Sequence, residues 1–170
     1  MSDNAANSYP ALRAILIGGL TAGVLDITYA MVAYGLNGIS PRIILQSVAS
    51  GWLGKSAYSG GMATAALGLG SHLALTCIMA AIFFAAARRL ALLRNHPLMS
   101  GAAFGLAAFV VMNFVVVPVS AASVQPPRGA YLAGGLLAHV FLVGFPIALV
   151  TRRALTSSPA SDCHQFSAES

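Results

Sequence analysis

The sequence predicts an all-α membrane protein, a four-helix transmembrane bundle with one amphipathic interfacial or re-entrant helix between the first two spans. Three observations carry this. Of 170 residues, 58% are hydrophobic and 8% charged, with mean hydropathy +0.80, whereas a soluble domain has about 25% charged residues. So few polar side chains cannot cover a water-facing surface, and lipid is the expected solvent. Apolar runs long enough to span, at about 20 residues each, occur four times. Lys and Arg sit at the ends of those runs, where membrane proteins keep them. The net charge of +5 therefore marks span ends facing a lipid bilayer and no nucleic-acid partner.

Residues 1–11 read as a polar, disordered N-terminal tail. No Lys or Arg precedes Ala11, so the basic start of a signal peptide is missing and the first apolar run is expected to stay as a helix. The membrane domain covers 12–153, with spans at 12–34, 63–87, 98–119 and 129–150. The first span carries Gly19-x-x-x-Gly23 and the third Gly101-x-x-x-Gly105, a spacing that lets another helix approach closely. Either pair is a candidate surface for a homo-oligomer. Cys77 reads as a small apolar packing residue.

Between the first two spans, Ser40-Pro41 is a helix start, a capping hydroxyl followed by proline at the first helical position. The expected helix, about 41–57, is too short to span. It places Ile44, Leu45, Val48, Trp52 and Leu53 on one face, and Arg42, Gln46, Ser50 and Lys55 on or near the other. Lying flat on the bilayer is the first reading and re-entry into it the second. Arg42, Trp52, Lys55, Arg88, Arg89, Arg152 and Arg153 are the expected interface anchors. Residues 154–170 read as a disordered Ser-rich tail, and Cys163-His164 within it as tail and no metal site.

Basic residues set the orientation. With both ends inside, Arg13, Arg88, Arg89, Arg94, Arg152 and Arg153 are cytoplasmic, while Arg42, Lys55 and Arg128 lie outside. This favours N-in and C-in. A weak internal repeat runs parallel to it. Gly68-x-x-x-His72 and Gly135-x-x-x-His139 each precede a terminal Arg pair.

Asp26 is the sole acidic residue inside an apolar run. A carboxylate there is costly unless it is paired or protonated. At 1.5 Å per residue, Asp26, His72, Asn113 and His139 all fall about 20–24 Å from the cytoplasmic edge, one on each span. They form the expected intramembrane polar cluster. It reads first as a polar knot that fixes helix register, each hydrogen bond contributing about 0.6–2 kcal/mol. It reads second as a protonation site, because imidazole groups exchange protons near neutral pH. A third reading has His72 and His139 ligate a haem iron. No catalytic residue, metal site or resident cofactor is expected. A nucleophile elbow, a phosphate loop and a second intramembrane carboxylate are all missing from the sequence.

With these residues the chain resembles the YagU-like family of small bacterial inner-membrane proteins, whose function is unassigned. The matching features are Asp26 late in the first span, His72 in the second, the run Met112 to Pro118, and His139 followed by an apolar stretch and Arg152-Arg153. The resemblance spans roughly 15–153, with segment 37–62 departing from the family pattern. It implies an inner-membrane location and four helices, and no reaction. The expected role is structural or accessory. Proton or small-solute transport through Asp26 and the histidines ranks second, since the inner half of each span is almost wholly apolar.

Overall fold

The computed structural model describes residues 3–122 and 124–156. They form helices α1 (Asp3–Gly35), α2 (Pro41–Leu53), α3 (Gly61–Arg89) and α4 (Ala91–Asn95), then α5 (Pro97–Val119) and α6 (Ala130–Thr156). A 3₁₀ segment, Gly54–Ser59, links α2 to α3. No strand occurs among the described residues. Four of the helices are long and apolar enough to cross a membrane: Ala11–Gly35 of α1, α3, α5 and α6.

Boundaries differ from the expectation in instructive ways. The polar segment 3–11 continues α1 instead of forming a loose tail. Helix α6 runs past Arg153 to Thr156, and the Cys163-His164 pair lies outside the described residues. Helix α2 starts at Pro41 as expected, but Ser40 makes no side-chain cap bond, and the helix stops at Leu53. Gly54 and Gly61, at φ 58° and 61°, bracket the 3₁₀ segment, and only glycine adopts such φ without penalty.

The bundle is small inside and large outside. Its core is Ala22, Ala80, Phe83, Ala87, Val143, Ile147 and Ala148. Leu16, Leu20, Ile78, Ile82 and Phe141 are exposed, as expected where apolar side chains meet lipid. Both GxxxG motifs are used within the chain. A Cβ on Gly19 would stand 2.5 Å from Cys77 Cα, and one on Gly23 would stand 2.6 Å from Thr76 Oγ1. These two glycines thus seat α1 on α3, with Cys77 as the packing residue anticipated. Gly101 faces the Gly144 carbonyl, and Gly105 the backbone of His139 and Val140.

The largest correction concerns α2. Its buried residues are Ile44, Gln46, Ala49 and Ser50, while Trp52 and Leu53 are exposed. Gln46 and Ser50 from the polar side are thus turned into the protein together with Ile44, while Trp52 and Leu53 from the apolar side face outward. Gln46 Nε2 donates to the Gly61 carbonyl at 2.9 Å and to Thr64 Oγ1 at 3.2 Å. Trp52, read as an interface anchor, donates from Nε1 to Ser71 Oγ at 3.1 Å. The Thr64 hydroxyl donates to the Ala57 carbonyl at 2.6 Å. Where the backbones cross, the Leu45 carbonyl occupies the space a side chain on Gly68 would need. The contacts run from Gly61 to Ser71, so α2 lies alongside the first 15 Å or so of α3. In an apolar solvent the polar groups of a short helix find partners only in the protein. The other anchors, Arg42, Lys55, Arg88, Arg89, Arg152 and Arg153, are exposed.

Candidate functional site

Each spanning helix contributes one residue to the polar layer, and the structure brings the acid and both histidines together. His72 Nε2 lies 3.8 Å from Asp26 Oδ2, and His139 Nδ1 lies 3.6 Å from Asp26 Oδ1. Both distances exceed a hydrogen bond. The same nitrogens are engaged elsewhere, His72 Nε2 with the Gly23 carbonyl at 3.0 Å and His139 Nδ1 with the Gly135 carbonyl at 3.0 Å. A carbonyl only accepts, so each of these nitrogens carries a proton and donates it. The protonated nitrogen facing the backbone is thus Nε2 in His72 and Nδ1 in His139. Asn113 Nδ2 donates to the Phe109 carbonyl at 3.0 Å, which leaves its Oδ1 as an acceptor.

Asp26 is thus flanked but not satisfied. Its side chain is 14% exposed, and among the described residues no donor lies within hydrogen-bond distance of its carboxylate. The two GxxxHis segments of the sequence repeat both deliver a histidine to it. Their glycines differ: Gly68 seats α2, while Gly135 lies against the Phe109 ring.

Two of the four residues sit at irregular backbone that the sequence reading did not anticipate. Met112–Val116 in α5 and His139–Gly144 in α6 are π-helical, and they hold Asn113 and His139. Proline explains both. Pro118 and Pro146 lack the N–H that the carbonyls of Phe114 and Leu142 would receive in an α-helix, and their rings crowd those carbonyls. Both carbonyls lie inside the π segments, where a wider turn relieves the clash. The prolines were the available signal.

The carboxylate forms the floor of two cavities. The larger, about 470 Å³, is walled by Asp26, His72 and Asn113 below, Ile43, Ile44, Ser47 and Val48 of α2 above, and Gln125 and Pro127 at the side. The smaller, about 110 Å³, lies between Asp26, Tyr29, Tyr34, Phe109, Tyr131 and His139. Tyr34 and Tyr131 stack with centroids 4.8 Å apart and planes 5° apart. On the other side of Asp26, toward the chain ends, Ala22, Phe83, Val143 and Ile147 are almost wholly buried. The site therefore opens away from the termini and is plugged toward them.

The arrangement does not suit the haem reading. The carboxylate stands between the imidazoles, and the nitrogens nearest it already donate to backbone. Among the described residues, no group of three or more His, Cys, Asp or Glu side chains is arranged to hold a metal ion. The chain matches no known family model, no curated protein and no solved structure. The YagU-like resemblance stands on the quoted residues alone.

The geometry predicts coupling between Asp26 and its neighbours. Asp26→Asn and His72→Ala, each measured by thermal unfolding in detergent, are expected to cost less together than the sum of their separate losses. A coupling near 0.6 kcal/mol is typical of polar pairs in membrane bundles. Strict additivity in this cycle would mean the two groups do not interact.

Proposed function

We propose that this chain is a multi-pass bacterial inner-membrane protein of accessory type that binds a small solute in the cavity above Asp26. The observation that supports this reading is the cavity itself. A volume of about 470 Å³ falls in the range of small-molecule sites, which are mostly apolar with a few convergent polar groups. Here those groups are Asp26, His72, Asn113 and Ser47. A knot that only fixed helix register would satisfy its own carboxylate and leave no such space beside it. Conduction is disfavoured by the buried Ala22, Phe83, Val143 and Ile147, because a proton or solute path needs polar groups or water on both sides of the site.

In this reading both termini are cytoplasmic, following the Arg pairs, and the cavity faces the periplasm. Helix α2 is re-entrant: its buried Gln46 and Ser50 and its place alongside α3, below that helix's far end, favour insertion over lying flat. It roofs the site. The reading is tested by Ser47→Cys in a background lacking Cys77 and Cys163. A small membrane-impermeant maleimide should label position 47 from the periplasmic side of intact cells. Labelling only from the cytoplasmic side of inverted vesicles would reverse the topology. Absence of labelling from either side would mean that no solute reaches the cavity.

A further inference from the structure

We infer that the occupant of this site is an organic cation, an alkylammonium or protonated amine with an apolar body. The inference rests on the solute-binding reading above and names its ligand class. It begins with charge. An ionised carboxylate only accepts hydrogen bonds, and Asp26 receives none among the described residues, with its two nearest nitrogens held at 3.6 and 3.8 Å by their own bonds to backbone carbonyls. No Lys or Arg lines either cavity. Among the described residues Asp26 is the one carboxylate lining either cavity, and an ammonium ligand can donate to it the hydrogen bond that neither imidazole makes. Asn113 Oδ1 supplies a second acceptor on the same floor, with one amide N–H donated to the Phe109 carbonyl.

The walls then select among cations. Beside the carboxylate, the cavity of about 110 Å³ is bounded by Tyr29, Tyr34, Phe109 and Tyr131. Aromatic faces attract ammonium groups through the ring quadrupole, and clustered aromatic rings are the usual surroundings of a bound quaternary ammonium. The neighbouring space under α2 is lined by Ile27, Ile43, Ile44 and Val48, which suits an apolar body and repels a hydrated ion. A bare inorganic cation needs several oxygen ligands in a tight shell. The floor offers it only the Asp26 carboxylate and the Asn113 amide. An anion would meet the Asp26 carboxylate in cavities that no Lys or Arg lines, and a sugar would leave its hydroxyls against isoleucine and valine.

Equilibrium binding to the full chain in neutral-lipid nanodiscs tests this, using benzyltrimethylammonium, its uncharged carbon isostere neopentylbenzene, and the anion 3-phenylpropionate. The cation is expected to bind about tenfold or more tightly than the isostere, as a carboxylate together with aromatic faces would give, and the anion not measurably. Asp26→Asn should abolish the preference of cation over isostere. Because that variant can fail to fold, Ser47→Trp provides a second check: it fills the larger cavity with Asp26 in place and should prevent binding of the cation. Equal or tighter binding of the isostere or of the anion would overturn the cation assignment while leaving the solute cavity standing. If none of the three compounds binds, the cavity reading fails with it.

Discussion

Gly68→Leu is expected to detach α2 from α3 and to cost the folded state about 3 kcal/mol, the upper range for overpacking a close contact. The reason is backbone against backbone. A side chain at 68 meets the Leu45 carbonyl and lies 3.2 Å from the Ala49 nitrogen, and neither can rotate away as a side chain would. Only displacement of α2 relieves it. That displacement breaks the bonds of Gln46 to Gly61 and Thr64, which leaves a buried amide unsatisfied at a further cost of about 1–3 kcal/mol if no water reaches it. Gly70 is the control. It lies on the same helix, and a Cβ there meets nothing within 4 Å. Gly70→Leu should therefore be neutral or stabilising, by up to about 1 kcal/mol, from helix propensity alone. Two measurements read the difference, thermal unfolding in detergent and the emission of Trp52, the chain's one tryptophan. Trp52 sits on α2 and is bonded to Ser71, so a displaced α2 shifts its spectrum. Equal stability and equal emission for the two variants would show that α2 is not seated at Gly68.

The contrast between these glycines also shows what the sequence made legible. The four spans follow from run length, because lipid demands about 20 apolar residues whatever the rest of the chain does. The polar layer was legible because a helix rises by a fixed amount per residue, so distances from the basic ends convert to depth. That arithmetic brought Asp26, His72 and His139 to one level, where the histidine nitrogens lie within 4 Å of the carboxylate. The faces of α2 were misread for a physical reason. Residue spacing puts Gln46 and Ser50 on one side of α2 but does not say what that side meets, and here both are buried, with Gln46 bonded to Gly61 and Thr64 at the start of α3. The π segments were hidden because helix periodicity treats every turn alike, although Pro118 and Pro146 marked both. The cavities were not legible at all. A void depends on which residues fail to fill a space, and spacing along a chain says nothing of that.

Gly105→Ala carries the same logic into the site. A Cβ at 105 would collide with the His139 carbonyl and stand 2.7 Å from Val140 Cα. This glycine therefore sets how closely α5 approaches the π segment that holds His139. In an open helical position, Gly→Ala stabilises by up to about 1 kcal/mol. Here the sign should reverse, to a loss of about 1–3 kcal/mol, as the two backbones are forced apart. The displacement acts on His139 before any other polar residue, since its own carbonyl is what the methyl meets. His72 reaches Asp26 from α3, across a seam set by Gly19 and Gly23, and is not touched. In the Gly105→Ala background, the coupling between Asp26→Asn and His139→Ala should therefore vanish, while that between Asp26→Asn and His72→Ala persists. Thermal unfolding of the two double-mutant cycles decides it. Loss of both couplings together would mean that the bundle moves as a whole. Retention of both would mean that Gly105 does not position the histidine.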